Sequence, residues 1–227
     1  MTEQPTRRAA KDALFEGFAT VARALSSGRR AEMVELLAQG ERTVEQVATE
    51  LGQSLANTSH HLRTLARAGL VVSRRAGTHV HYRLASDEVL ELWWAMRTVA
   101  ASQVPGFAEL ATGYLGARDA VPTISRHELL DRLDTGEVVV IIDVRPPAEY
   151  AAGHLPGARS IPPDRLDLLD DLPTDAEVVA YCRGPYCVYA DDAVRWLARR
   201  GRRATRLEDG LPEWRTTGGP VTTGDVA

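Results

Sequence analysis

Cysteine is almost absent from this chain. Its 227 residues hold two, Cys182 and Cys187, five positions apart in Tyr181-Cys182-Arg183-Gly184-Pro185-Tyr186-Cys187-Val188. Two thiols are too few for a four-thiolate structural zinc site. Long apolar runs are missing as well: nothing approaches the roughly 18–20 residues of a membrane span. The start, Met1-Thr2-Glu3-Gln4-Pro5, lacks the apolar core of a signal peptide. The expectation is a cytoplasmic protein with no membrane partner. Thiols are reduced by default in that compartment, so a disulfide there is transient or regulatory. Lysine is nearly missing too, Arg supplying 26 of the 27 basic residues, which reads as compositional bias. No internal repeat or low-complexity tract is evident.

What is present suits two modest domains, each able to bury its own core. The net charge of −4 is unevenly spread. Residues 1–104 carry 13 Lys+Arg against 11 Asp+Glu, or +2, and the remainder 14 against 20, or −6. A mildly basic half joined to an acidic one fits nucleic-acid contact by the first half.

Helical periodicity begins near Lys11, with Leu14, Phe15, Phe18, Val21, Ala22 and Leu25 on one face. It breaks at Ser26-Ser27-Gly28 and resumes over Arg30 to Ala38. Thr43, with Gln46 three residues on, is a capping-box pattern that opens a short helix, Val44 to Leu51. Gly52 closes that helix, and the next begins at Ser54 or Leu55 and runs to Ala68. Two strand-like runs around Ala76-Gly77 then form a β-hairpin pattern. A last helix, about Ser86 to Ser102, carries Val89, Leu90, Trp93, Trp94 and Met96. The pattern loosens from Gln103 to Pro122, where Pro105, Gly106, Gly113 and Gly116 mark a linker. Beyond it, strands expected at Val138–Val144, Arg159–Ile161, Glu177–Tyr181 and Ala204–Leu207 alternate with helices near Ser125–Leu133, Pro147–Ala152, Pro163–Leu169, Cys187–Arg200 and Pro212–Thr216. Such alternation predicts an α/β domain with a parallel sheet.

Two short helices joined by a tight turn, followed by an Arg-rich hairpin, describe a winged helix-turn-helix. At 100° per residue, Leu55, Thr58, Ser59, Leu62, Leu65 and Ala66 of the second helix share one face. Gln53, Asn57, His60, His61 and Thr64 fall on the other. Amides and imidazoles near a helix N-terminus suit base edges. The candidate DNA-reading set is Gln53, Ser54, Asn57, His60, His61 and Arg63, with Arg74 and Arg75 of the hairpin placed for phosphates.

The stretch from Arg23 to Leu84 resembles the ArsR family of dimeric winged-helix repressors. The likeness rests on Ala24-Leu25-Ser26-Ser27-Gly28-Arg29-Arg30, Ser59-His60-His61-Leu62-Arg63-Thr64-Leu65 and Ala68-Gly69-Leu70-Val71. It implies a homodimer built from the first and last helices and a double-stranded DNA operator as partner. Many members of that family sense metals through cysteines before the recognition helix, or through His and acidic residues on the last helix. This chain has no thiol over residues 43–51 and no His on the last helix, so no metal is expected.

Three segments of the second half resemble the rhodanese (sulfurtransferase) family. They are Ile142-Asp143-Val144-Arg145-Pro146-Pro147-Ala148-Glu149-Tyr150 with Gly153-His154-Leu155-Pro156-Gly157-Ala158-Arg159, the Cys182 loop, and Leu207-Glu208-Asp209-Gly210-Leu211-Pro212-Glu213-Trp214 with Gly218-Gly219-Pro220-Val221. The fold expected is therefore multidomain: a mainly α winged helix-turn-helix domain over 11–102, a linker over 103–121, and a rhodanese-like α/β domain over 122–221.

The resemblance makes Cys182 a nucleophile that holds a sulfane sulfur as persulfide. A thiol on a strand-to-helix turn faces N–H groups and a helix N-terminus, which favour thiolate. The N–H groups of residues 183–187 are expected to cradle the anionic sulfur, and Arg145 is expected to pair with Glu149. Related phosphatases carry an Arg six residues after the Cys; position 188 is Val, so that phosphate clamp is missing. Arg183, Gly184, Pro185 and Tyr186 depart from the usual rhodanese loop, and Cys187 stands where a hydroxyl residue is common. Cys187 is either a small buried residue or a resolving thiol that converts a Cys182 persulfide or sulfenate into a disulfide.

The expected function is DNA-binding transcriptional regulation that responds to a sulfane-sulfur donor or oxidant through these thiols, without a cofactor. The alternative is an active sulfurtransferase with a regulatory DNA-binding domain.

Overall fold

The computed structural model describes residues 6–224, and the chain divides into two units, Met1–Val99 and Ala100–Ala227.

The first unit opens with α1 (Arg7–Leu25) and α2 (Gly28–Ala38), followed by α3 (Val44–Glu50) and α4 (Leu55–Arg67). The capping box forms as expected at the start of α3. Thr43 Oγ1 accepts from the Gln46 N–H at 3.2 Å, and Gln46 Oε1 accepts from the Thr43 N–H at 2.8 Å. Gly52, at φ +59°, takes the left-handed turn between α3 and α4 that a side chain would resist. Met33, Val34, Leu37, Val47, Leu62 and Leu65 meet in the core. The wing consists of β2 (Val71–Ala76) and β3 (His79–Leu84), antiparallel with Ala76 opposite His79. Gly77 and Thr78 make the two-residue turn between them. A two-residue strand absent from the sequence reading, β1 (Arg42–Thr43), pairs with β3. The unit's last helix, α5 (Asp87–Gln103), runs across its boundary.

The second unit contains α6 (Phe107–Leu115) within the stretch read as a linker, where no helix was expected. A five-stranded sheet follows: β4 (Thr123–Ile124), β5 (Val139–Asp143), β6 (Arg159–Ser160), β7 (Glu177–Tyr181) and β8 (Ala204–Leu207). Its order is β4-β8-β7-β5-β6 and every pairing is parallel. Strands buried on both faces read as continuous apolar runs, which is why Val139-Val140-Ile141-Ile142 and Val178-Val179-Ala180 were legible. Helices α7 (Arg126–Asp134), α8 (Pro147–Ala152), α9 (Tyr189–Ala198) and α10 (Leu211–Thr216) cover the sheet. The expected helix over Pro163–Leu169 is instead a 3-10 turn, Leu166–Asp171. No helix among the described residues is long and apolar enough to cross a membrane.

Candidate functional site

Central strand β7 delivers Cys182 at its C-terminal end, the end of a parallel sheet where crevices form. Residues 182–188 then turn into α9. Cys182 and Cys187 are both buried, at 3% and 7% exposure, and are joined in a disulfide with Cα atoms 6.3 Å apart. Gly184 takes φ +147°, which bends the loop back on itself. The Cys187 N–H donates to the Gly184 carbonyl at 3.1 Å.

That bond corrects the expected anion cradle. Pro185 carries no N–H, and the Cys187 N–H is spent inside the loop. Of the five positions 183–187, these two therefore drop out of the cradle.

Side chains around the loop fix it from several sides. Arg183 turns back to Glu149 of α8, its Nε lying 3.0 and 3.2 Å from the two carboxylate oxygens. Glu149 is fully buried, so this forked, charge-assisted pair anchors the first loop position. Tyr186 meets Phe107 of α6 edge-to-face at 5.9 Å. Pro185 and Cys187 offer their carbonyls to the Arg118 guanidinium, the second at 2.8 Å. Gly210 underlies the loop: a Cβ there would lie 2.6 Å from the Gly184 nitrogen and closer still to the Arg183 carbonyl group.

Arg145 holds Asp143 with Nε–Oδ1 at 3.0 Å and Nη2–Oδ2 at 2.6 Å, and donates to the Gly153 carbonyl. Burial alone would lower the Arg145 pKa; Asp143 outweighs it, Glu149 adds charge, and the net direction is up. Tyr181 completes the buried group, donating to Asp143 at 2.5 Å and accepting from the Leu155 N–H. Burial, with the neighbouring Asp143 charge, pushes its phenol well above the ordinary value.

In the first unit, Ser54 is the N-cap of α4, its hydroxyl accepting from the Asn57 N–H at 3.3 Å. Asn57, His60 and Arg63 are exposed on this helix, and Gln53 is half-buried just before it. Two side chains depart from the helical projection. Leu55, assigned to the inner face, is 53% exposed, because the first turn extends beyond the core that Thr58, Leu62 and Leu65 enter. His61, assigned outward, is half-buried, and its Nδ1 is enclosed without a hydrogen-bond partner. Arg75 on the wing is exposed, whereas Arg74 is held by Glu41 at 2.8 and 3.0 Å. A cavity of about 610 Å³ lies between α4 and the wing, lined by His60, Arg63, Ala66, Arg67, Ser73 and Tyr82.

Comparison with known proteins identifies both units. Residues 27–73 match the family described as bacterial regulatory protein, arsR family, and residues 125–217 match the rhodanese-like domain. Over 215 residues the chain is 46% identical to the HTH-type transcriptional regulator Rv0324 of Mycobacterium tuberculosis, covering 94% of each protein. The chain belongs to the ArsR family. It is a transcriptional regulator of that family with a rhodanese-like domain, and its winged helix is of the DNA-binding type. A sulfurtransferase of Allochromatium vinosum is 33% identical over 103 residues, spanning 44% of this chain and 94% of that protein. Among solved structures, the homodimeric winged helix-turn-helix domain of a possible ArsR-family regulator from Mycobacterium bovis is 41% identical. It covers 46% of this chain and 94% of its own, with a TM-score of 0.41.

In this ArsR-family chain, three charged residues at the thiol loop escaped the sequence reading. Arg118 precedes β4, Asp191 is buried in the first turn of α9, and Arg206 lies on β8. Arg118 Nε reaches Asp191 at 2.6 Å, and Arg206 Nε lies 3.2 Å from the same carboxylate. Burial, and then the nearby Arg118 charge, lowers the Arg206 pKa. No motif announces such residues, since their partners lie far along the chain or are backbone carbonyls.

Proposed function

We propose that this ArsR-family protein is a redox- or sulfur-responsive repressor whose DNA binding is set by the state of Cys182 and Cys187. The carrying observation is that the chain's two thiols are bonded across one loop at the end of the central strand. Cys182 is the nucleophile and Cys187 the resolving thiol. A hydropersulfide donor RSSH passes its outer sulfur to Cys182, giving a Cys182 persulfide and RSH. The Cys187 thiolate then attacks Cys182 Sγ, the disulfide forms and hydrosulfide leaves. The dithiol is oxidised by two electrons and the sulfane sulfur is reduced to sulfide.

The regulator acts as a homodimer on an operator with two half-sites. Each recognition helix presents Asn57, His60 and Arg63 to base edges, with Gln53 and Ser54 at its start and Arg75 on phosphate. Arg74 reaches phosphate after release from Glu41, and His61 supports the helix from beneath. The exposed stripe of Leu14, Phe15 and Phe18 on α1, with Val99 of α5, supports the dimer.

The test is operator affinity of the full-length protein in its dithiol and disulfide forms. Oxidised protein is expected to bind at least about tenfold more weakly, a difference of roughly 1.4 kcal/mol. Cys182→Ser should bind like the reduced form with or without polysulfide. Equal affinity of the two wild-type forms rejects the proposal. Similarity to a sulfurtransferase supports a second reading, sulfur transfer with turnover; thiosulfate-to-cyanide activity lost in Cys182→Ser, alongside redox-indifferent DNA binding, would favour it.

A further inference from the structure

We propose that Arg118 is the positioning residue that holds the thiol loop closed, so that the segment leading into the rhodanese-like domain stabilises the disulfide over the dithiol. The inference rests on the disulfide reading above and adds what controls that disulfide.

One guanidinium holds three residues. Its Nε is fixed on Asp191 at 2.6 Å, while Nη1 and Nη2 take the carbonyls of Pro185 and Cys187. Asp191 is itself immobilised, fully buried in α9 and flanked by Arg206. The guanidinium plane is therefore set from behind, and a planar fork accepts two carbonyls in one arrangement only. Those carbonyls bracket Tyr186 and belong to the run that must bend for Cys187 to reach Cys182. In a trans peptide the N–H points opposite to the C=O. Arg118 consequently turns the Tyr186 and Val188 N–H groups away from itself.

Charge alone would act in the other direction, since a cation favours thiolates over a disulfide. Here Asp191 at 2.6 Å offsets the Arg118 charge, and Glu208 joins it in offsetting the neighbouring Arg206, so the fork decides the sign. With the thiols apart the loop regains freedom and the two carbonyls are held less well. The same segment grips the loop and α9 elsewhere. Phe107 packs on Tyr186, and Arg195 of α9 donates to the Ala117 carbonyl at 3.0 Å. Coupling of this kind is reciprocal: what Arg118 and α6 do for the disulfide, the disulfide does for their order.

The experiment equilibrates full-length wild type, Arg118→Ala and Arg118→Lys in glutathione buffers. The reaction is dithiol plus glutathione disulfide giving protein disulfide plus two glutathiones, and alkylation with mass spectrometry reads the oxidised fraction. Losing charge-assisted bonds to two carbonyls should lower the equilibrium constant about tenfold in Arg118→Ala. Arg118→Lys keeps the charge beside Asp191 without the fork and should recover part of that loss. Hydrogen exchange of residues 107–115 should be slower in oxidised than in reduced wild type, and the difference should shrink in both variants. Constants within about twofold of wild type in both variants, or higher constants, overturn the proposal. Should Arg118→Ala fail to fold, Arg118→Lys decides it by the same criterion. The operator assay judges the regulatory reading independently, on wild-type protein alone. A wild type that forms no disulfide at any glutathione ratio overturns both.

Discussion

His61 and His60 are neighbours of one residue type on one helix, and the structure treats them oppositely. His60 is exposed; the His61 ring nitrogen Nδ1 is enclosed without a partner. Burial first, then the charges of Arg30 and His60, lower the His61 pKa. An unfolded histidine titrates near pH 6.5. Above that pH both states are neutral and His61 has no effect on the pH slope. As pH falls through about 6.5 toward the lower folded value, the unfolded chain takes up the proton first and stability is lost. The wild-type urea midpoint should therefore drop between pH 7.5 and 5.5, and His61→Gln should drop less. Equal losses would assign the acid sensitivity elsewhere. A helical projection separates adjacent residues by angle alone, and it could not tell that the core reaches beneath one ring and not the other. Arg74, paired with Glu41 across thirty-three residues, illustrates the same limit: the sequence supplies a cation, the fold supplies its partner.

At the scale of elements, what local chemistry specifies was legible. Thr43 and Gln46 satisfy each other's N–H groups without tertiary help, so the start of α3 was readable from four residues. Strand β7 fell on the expected residues because buried parallel strands need continuous apolar runs, whereas β8, Ala204-Thr205-Arg206-Leu207, fell there without one. Helix α6 was missed because Pro105, Gly106 and Gly113 read as loop chemistry. Yet Gly106 sits at φ +75° just outside the helix, and Gly113 is tolerated within it. The thiol loop was legible as a place, but its supports were not. Gly210 belongs to a recognised motif, yet its role appears only where the loop's backbone passes over it. A Cβ there would collide with Arg183 backbone atoms that no rotamer change can move. Gly210→Ala should cost about 1–3 kcal/mol in denaturant stability, as over-packing does. It should also shift the thiol–disulfide equilibrium, which Gly219→Ala, whose added Cβ meets the Trp214 indole instead, should leave near the wild-type value. Matching equilibria for wild type and Gly210→Ala would mean the loop tolerates displacement.

For the whole molecule, the deciding question is what covers α1. Its apolar residues follow helical spacing, but Leu14, Phe15 and Phe18 are 57%, 57% and 61% exposed in the single chain. At about 25 cal/mol per Å² of apolar surface, such a stripe is a standing cost unless a partner buries it. A second copy is the partner that the proposed two-half-site operator requires, because half-site spacing mirrors the two-fold symmetry of a dimeric reader. Phe18→Glu places a charge in that face without touching the core residues Ala24 and Leu25 at the helix end. The expected result is a monomer by sedimentation at micromolar concentration, with a circular dichroism spectrum like wild type. Operator affinity should fall about 100-fold or more, since two linked half-site contacts become separate events. A Phe18→Glu protein that still sediments as a dimer would move the interface off α1. Its thiol–disulfide equilibrium should stay at the wild-type value, because the supports identified for that loop all lie within the second unit.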